Sequence, residues 1–381
     1  MGEWFDRMTD ANALYRAFLS AKKASGWKFS VKAFEADLLL NLRQIQKDLR
    51  EGTYQPSAYT EFTLHERGKT RRIKSLKIRD RVVQKAMCDE VLMPAIRPHL
   101  IYDNGASLKG KGISFTRGRL QCQLEKYFRK YGVCGWGYKR DFSKYFDNID
   151  HDITIDYFGR YIDDPLFMRL FAQSLEAYRI DISALSESER EALKTRPINL
   201  LTHPASTEGR FFLNRSAGIG SPLSQIIGIA LPTPMDNLAL NHPGVFSYNR
   251  YMDDSIALSP SKDALEDLRE KDREMAKRLG IFINEKKTCI FPLTRGLTFL
   301  QIKYSFTETG KIIKRLSPSA FARERRKLKK YAGGIVGTTM SYGDVANAYQ
   351  SWRGNATKYS SHRSVRRMDA LFNHLFIDNF A

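Results

Sequence analysis

The stretch that most limits the fold is Phe246 to Pro260, FSYNRYMDDSIALSP. Aromatic and β-branched residues flank two adjacent aspartates, Asp253 and Asp254, in a run that otherwise reads as strand. Neighbouring strand residues point to opposite faces, so adjacent carboxylates share one site only where the chain turns. The run therefore predicts a tight hairpin with acid at its tip. Two like charges side by side repel. Either this is an ordinary solvated turn, or something positive binds there.

With 381 residues, 42% of them hydrophobic, the chain can bury a sizeable core divided into two or three subdomains. The excess of 62 basic over 42 acidic residues gives a formal charge of +20. Such an excess attracts polyanions, nucleic acid foremost; a merely basic surface is the plain alternative. No 18-residue apolar run is present, so no membrane span or membrane partner is expected. The start, MGEWFDRMTDANALY, lacks the layout of a secretory signal, and Asp6 stands where a myristoylation signal has Ser or Thr. Cys88, Cys122, Cys134 and Cys289 show no CxxC spacing and read as reduced thiols, which points to the cytoplasm.

Helical spacing covers residues 31–50, up to Glu51-Gly52, and residues 79–96. Between them YTEFTLHERGKTRRIKSL reads as a hairpin broken at Gly68, with a basic tip. A loop rich in Gly and Lys, residues 103–120, runs into a helix. GWGYKRDFSKYFDNIDHD predicts strand, turn, then a helix start at Asp150. Residues 181–212 form a polar excursion with a short helix around SESEREALK. SPLSQIIGIALPTPMDNLAL is a buried helix bent near Pro232 and Pro234, and a charged helix follows the Asp-Asp hairpin and ends at Gly280. IFINEKKTCIF and GLTFLQIKYSF read as strands, and the remainder as helices with a basic run, ARERRKLKKY. The expected class is α+β with a helical appendage.

A third acid, Asp141, follows a strand-like stretch. Three carboxylates on adjacent strands supply the oxygen ligands that two Mg²⁺ ions prefer, with Mn²⁺ as a substitute. Two such ions about 3.5–4 Å apart serve an in-line phosphoryl transfer. An isolated Asp-Asp is more often a solvated turn; the ordered set around it changes that weighing.

In that set the chain resembles the reverse transcriptases, closest to bacterial retroelement enzymes related to those of group II introns. YMDD (Tyr251 to Asp254) resembles the family's metal-binding hairpin, and DFSKYFDNID (Asp141 to Asp150) its first-carboxylate motif. GIGSPLSQ (Gly218 to Gln225), GIFINEKKT (Gly280 to Thr288), GLTFLQIKY (Gly296 to Tyr304) and GKTRRIKSLKIRDRVVQKAM (Gly68 to Met87) resemble further motifs, in family order over residues 60–305. The resemblance implies a right-hand polymerase: fingers within 1–130, a palm with an antiparallel sheet over 131–310 (interrupted by the excursion 155–212), and a helical basic thumb over 311–381. It implies metal ligation by Asp141, Asp253, Asp254 and the Phe142 carbonyl, and Lys287 as general acid. Lys69, Arg71, Phe146 and Gln225 would meet the dNTP, Phe146 by excluding a 2′-hydroxyl.

Template and primer would lie along Lys109, Lys111, Arg117, Gly220 and Ser224, and along Arg323, Arg326, Lys327 and Lys330 of the tail. Three departures stand out. Ile219 replaces a common Gln, Gln225 replaces a common Pro after Ser224, and Gln301 stands where a small residue is expected. The Gly-x-x-x-Ser-Gln form resembles diversity-generating and some defence-associated enzymes. The expected activity is RNA-templated DNA synthesis on an RNA template and DNA primer, in bacterial antiphage defence, since no maturase or endonuclease extension is recognisable. Error-prone synthesis in a diversity-generating retroelement and an inactive RNA-binding scaffold are the alternatives. A dedicated non-coding RNA and an accessory protein are further expected partners.

Overall fold

The computed structural model describes residues 2–23, 25–66, 68–201, 209–334 and 340–378. Four helices open the chain: α1 (Glu3–Thr9), α2 (Ala11–Lys22), α3 (Phe29–Ala36) and α4 (Leu38–Arg50). The Asp10 carboxylate caps α2 by accepting from the Asn12 and Ala13 N–H groups. The single helix expected over 31–50 is two, broken at Asp37 (φ −112°, ψ 40°). The break lets α4 turn Leu42, Ile45 and Leu49 inward, whereas α3 buries only Val31. Gly52, at φ +70°, ends the segment as its position suggests.

Strands β1 (Thr60–Glu66) and β2 (Lys69–Ser75) pair antiparallel through Gly68, at φ +73°. Then α5 (Ile78–Ala86) continues through a π-helical turn (Met87–Leu92) into α6 (Met93–Ile96), and the Gly-rich loop leads to α7 (Ile113–Tyr131). Strand β3 (Trp136–Arg140) precedes α8 (His151–Gly159), which Asp150 caps through Ile153 N–H. After α9 (Pro165–Glu176), the excursion holds β4 (Ile180–Asp181), α10 (Glu187–Thr195) and β5 (Phe212–Leu213), around a small core of Ile180, Ile182, Ile198 and Leu200.

Helices α11 (Pro222–Ala230) and α12 (Thr233–Asn241) are separated at Leu231–Pro232, as the prolines predict. Strands β6 (Ser247–Tyr251) and β7 (Asp254–Ser259) make the acidic hairpin, followed by α13 (Lys262–Arg278) and β8 (Cys289–Pro292). The strands β6-β7-β3-β8 form one antiparallel sheet in that order, with α12 and α13 packed against it. This pairing sets β3, which ends at Arg140, beside β7, which begins at Asp254. A second sheet, β9 (Leu297–Phe299), β10 (Ile302–Phe306) and β11 (Ile312–Leu316), joins α14 (Pro318–Ala332), α15 (Tyr342–Ala356) and α16 (His362–Asn373) in a separate apolar core. Helices with antiparallel sheets make the α+β class expected.

Two strand expectations need correction. Of IFINEKKTCIF only Cys289–Pro292 is strand; Ile283 makes one bridge to Phe142, and Glu285–Lys287 turn back. GLTFLQIKYSF is a hairpin, because Leu300 and Gln301 both take positive φ (+45° and +71°). Gln301 therefore occupies left-handed backbone, the conformation in which glycine is least strained. That is why a small residue is expected there.

Candidate active site

At the end of β6 the chain reverses over Met252 and Asp253, with Tyr251 paired to Asp254 across the turn. Met252 takes φ +55° to make the reversal. The hairpin is anchored from beneath by Arg250, fully buried, whose guanidinium holds the Asp236 carboxylate at 2.7–2.8 Å. The same guanidinium donates to the carbonyls of Ile229 (2.6 Å), at the end of α11, and Met252 (3.2 Å), in the turn itself. Beside it Arg140 joins Asp272 (2.6 Å) and the Tyr248 hydroxyl (2.7 Å), and Tyr248 donates to Asp236 (2.8 Å). Two buried cations are thus matched to two buried carboxylates under the sheet. Sequence reasoning passed over all of them; an Arg and an Asp in predicted core elements were the only signal.

Asp141 follows β3 directly. Its backbone carbonyl accepts from Asn284 N–H (2.8 Å), and Ser143 N–H donates to Phe282 (2.7 Å). This bridge uses the carbonyls of Asp141 and Phe282 and the N–H groups of Ser143 and Asn284, so the Phe142 carbonyl takes no part in it. The Asp141 carboxylate is met by Asn284 Nδ2 (3.1 Å) and Lys287 Nζ (3.2 Å). The turn that replaced the expected strand is what brings Lys287 there. Asp254 faces Lys139 Nζ at 3.4 Å.

Asp253 is pushed up to about 6, by burial first and then by the charges of Asp254 and Asp141; Lys69 opposes the rise. The charges of Asp254, Asp141 and Lys69 thus all reach the Asp253 carboxyl. Among the described residues, no three Asp, Glu, His or Cys side chains stand close enough together to hold a metal ion as they are. Asp254 and Asp141 are each turned to a lysine. The donor chemistry nonetheless fits a hard divalent cation: three carboxylates, one of them holding its proton because it is buried beside two other acids.

Asp141 and Asp253, though not Asp254, line one cleft of about 540 Å³. Asp141, Asp253, Asn284 and Lys287 form one side, and Lys69, Arg71 and Arg72 of the β1–β2 hairpin another. Phe146 lines it too, its ring lying where a Cβ on Gly228 of α11 would come to 3.0 Å. The missing side chain at Gly228 is what lets the ring approach the helix. Lys144, at φ +47°, and Ile219 complete the lining with Asp147, Leu200 and Leu201. Arg72, Lys144 and Asn284 were missed from the sequence although each sits inside a motif already singled out.

Other expected contacts fall elsewhere. Gln225 is exposed on α11 and does not line the cleft. Ser224 is buried, its hydroxyl donating to Ser221 O (2.8 Å); Gly220, at φ +103°, shapes the turn. Lys109 is exposed. Lys111 is folded over Tyr102 and Phe115 and donates to Tyr102 O. Arg117 ties α7 to the β9–β10 turn through Leu300 O and to the tail through the Tyr359 hydroxyl (3.0 Å). Both are half-buried and held by backbone carbonyls. On α14, Arg323 is drawn to Gln301 Oε1 (2.8 Å) and Lys327 to Glu324 (3.6 Å), whereas Arg326 and Lys330 project outward.

The four cysteines are free. No helix among the described residues is long and apolar enough to cross a membrane. Residues 60–304, nearly two thirds of the chain, match the family model described as reverse transcriptase (RNA-dependent DNA polymerase). No curated protein matches the chain.

Proposed function

Because the chain belongs to the reverse transcriptase (RNA-dependent DNA polymerase) family, we propose that its cleft adds deoxynucleotides to a DNA 3′-end opposite an RNA template. The observation that carries this reading is the cleft's polarity. Asp141 and Asp253 stand at one wall with Asp254 next in sequence, Asp253 holding its proton up to about pH 6 through burial and then through the charges of Asp254 and Asp141, and Lys69, Arg71, Arg72 and Lys144 line the rest. A triphosphate laid between the walls is neutralised by the cations, with its reacting phosphorus toward the acids. Asp141, Asp253, Asp254 and the Phe142 carbonyl would hold Mg²⁺, which when bound activates the 3′-hydroxyl and stabilises the leaving oxygen. Lys287 would supply the proton to departing pyrophosphate; the metals that release it from Asp141 would free it for that role. Phe146 is the floor for the sugar.

In this reading the β1–β2 hairpin belongs to the fingers, the four-stranded sheet is the palm, and residues 311–381 are a thumb. Arg325, Arg326, Lys329 and Lys330 on the outer face of α14 follow the phosphates of the hybrid duplex. We place the activity in antiphage defence, with a dedicated RNA as template. Sequencing the RNA that copurifies tests that setting; a template repeat matching a hypervariable gene would assign it to diversification instead.

The decisive assay is extension of a DNA primer annealed to RNA, with Mg²⁺ and dNTPs. The wild type should extend it, and Asp253→Asn with Asp254→Asn should lose about 10³-fold or more. Extension that survives the double substitution would sink the proposal, as would its absence from wild-type protein on any primed template.

A further inference from the structure

The four most exposed large apolar side chains among the described residues all fall within residues 27–40, at the α2–α4 corner: Trp27 (75%), Phe29 (86%), Leu39 (78%) and Leu40 (70%). They sit at the starts of α3 and α4, and no residue before Lys69 lines the cleft. The corner is also electropositive. Between Asp10 and Glu35 the sequence carries Arg16, Lys22, Lys23, Lys28 and Lys32 and no carboxylate. Arg16 pairs with Glu90 and Lys22 with Glu35, while Lys23, Lys28 and Lys32 are exposed and make no ion pair among the described residues. Lys28 lies 5.7 Å from the centre of the Trp27 ring. Its extended backbone (φ −71°, ψ 137°) spaces the two aromatic residues by two strand steps, roughly 6–7 Å.

We infer that this corner is a second RNA-binding surface, on which unpaired bases stack on Trp27 and Phe29 while Lys23, Lys28 and Lys32 hold the adjoining phosphates. Aromatic faces interleaved with unpaired cations are the combination that binds single strands without reading sequence. The charge selects the ligand: an apolar protein partner would gain nothing from three unpaired lysines beside the rings. RNA is chosen over DNA because the proposed function supplies an RNA with unpaired stretches; the inference rests on that reading only for this choice.

The test uses the full chain and a labelled, unstructured 20-nucleotide RNA, followed by fluorescence anisotropy. Trp27→Ala with Phe29→Ala should weaken binding about 10- to 100-fold. Lys23→Gln, Lys28→Gln and Lys32→Gln together should lower the slope of log affinity against log salt by about 2, as expected for three phosphates on a single strand. Both variants change exposed side chains and should extend a short blunt primer–template as the wild type does. Unchanged RNA affinity in the aromatic variant overturns the inference. It is equally overturned if RNA binding is unchanged while either vesicles of phosphatidylserine and phosphatidylcholine, or a self-associated form of the wild type, lose the protein on substitution. Patch-dependent RNA binding without primer extension would remove the proposed function and leave this surface standing.

Discussion

Two hairpins face the same cleft and are built in opposite ways. In β7 every residue after Asp254 is buried, and the β6–β7 turn is clamped by Arg250 to Asp236 and to the end of α11. In the β1–β2 hairpin Lys74 is the one buried residue of β2, and Phe62 and Leu64 of β1 are exposed (48% and 40%). Lys74 docks that hairpin through its N–H to Ile219 O (3.3 Å) and its ammonium over the Tyr59 ring (4.6 Å). Asp253 and Asp254, proposed to hold metal, sit on the over-determined hairpin. The cations proposed to meet the triphosphate sit on a hairpin with little burial to hold it in place.

The largest expected effect breaks the clamp. Arg250→Met leaves Asp236 buried with Tyr248 as its remaining partner, and should lower the unfolding free energy by about 3–5 kcal/mol. Leu64→Ala, on the exposed hairpin, should lower it by less than about 1 kcal/mol. Urea titrations of the two variants measure the difference directly. Equal losses would mean that the two hairpins are not differently held.

Much of this contrast was legible in the sequence, and some was not. Adjacent aspartates between strand-formers predict the acidic hairpin because a period of two allows no other shared site. Gly68 and Gly280 mark their turns by the left-handed backbone they take up. The β9–β10 turn escaped because Leu300 and Gln301 occupy that conformation without being glycine, and the α3–α4 break because Asp37 is no helix breaker. Lys111 in the basic loop and Arg117 on α7 are expected at template phosphates, and both also make intramolecular bonds. What captures them, carbonyls of Tyr102 and Leu300, is backbone that composition cannot reveal. The Arg250–Asp236 and Arg140–Asp272 pairs join residues separated by up to 132 positions, a distance over which pattern reading has no grip.

A middle-sized effect concerns the charge on the fixed hairpin. Asp253 binds its proton more tightly folded than unfolded, so between about pH 4 and 6 the native state holds more protons. Stability then falls as pH rises through that window, opposite to the usual salt-bridged carboxylate. Asp253→Asn should therefore be more stable than wild type by about 1–3 kcal/mol at pH 8 and nearly equal to it at pH 4. Thermal melts across pH check the sign. Wild-type primer extension should rise through about pH 6 as the carboxylate ionises, and a variant no more stable at pH 8 would show that the acids do not strain the fold.

The smallest effect sharpens the comparison within the clamped hairpin itself. Lys139 of β3 meets Asp254 at the start of β7, and both partners of this pair are about a third exposed (29% and 32%). Water solvates each charge when the other is removed, so Lys139→Met should cost less than about 1 kcal/mol. Its consequence should appear in metal binding instead. Lys139 competes for the carboxylate proposed to hold Mg²⁺, so removing it should lower the Mg²⁺ concentration that half-saturates primer extension. A stability loss comparable to that of Arg250→Met would mean that the pair is a second clamp. The rigidity of the acidic hairpin would then not come from its buried ions alone.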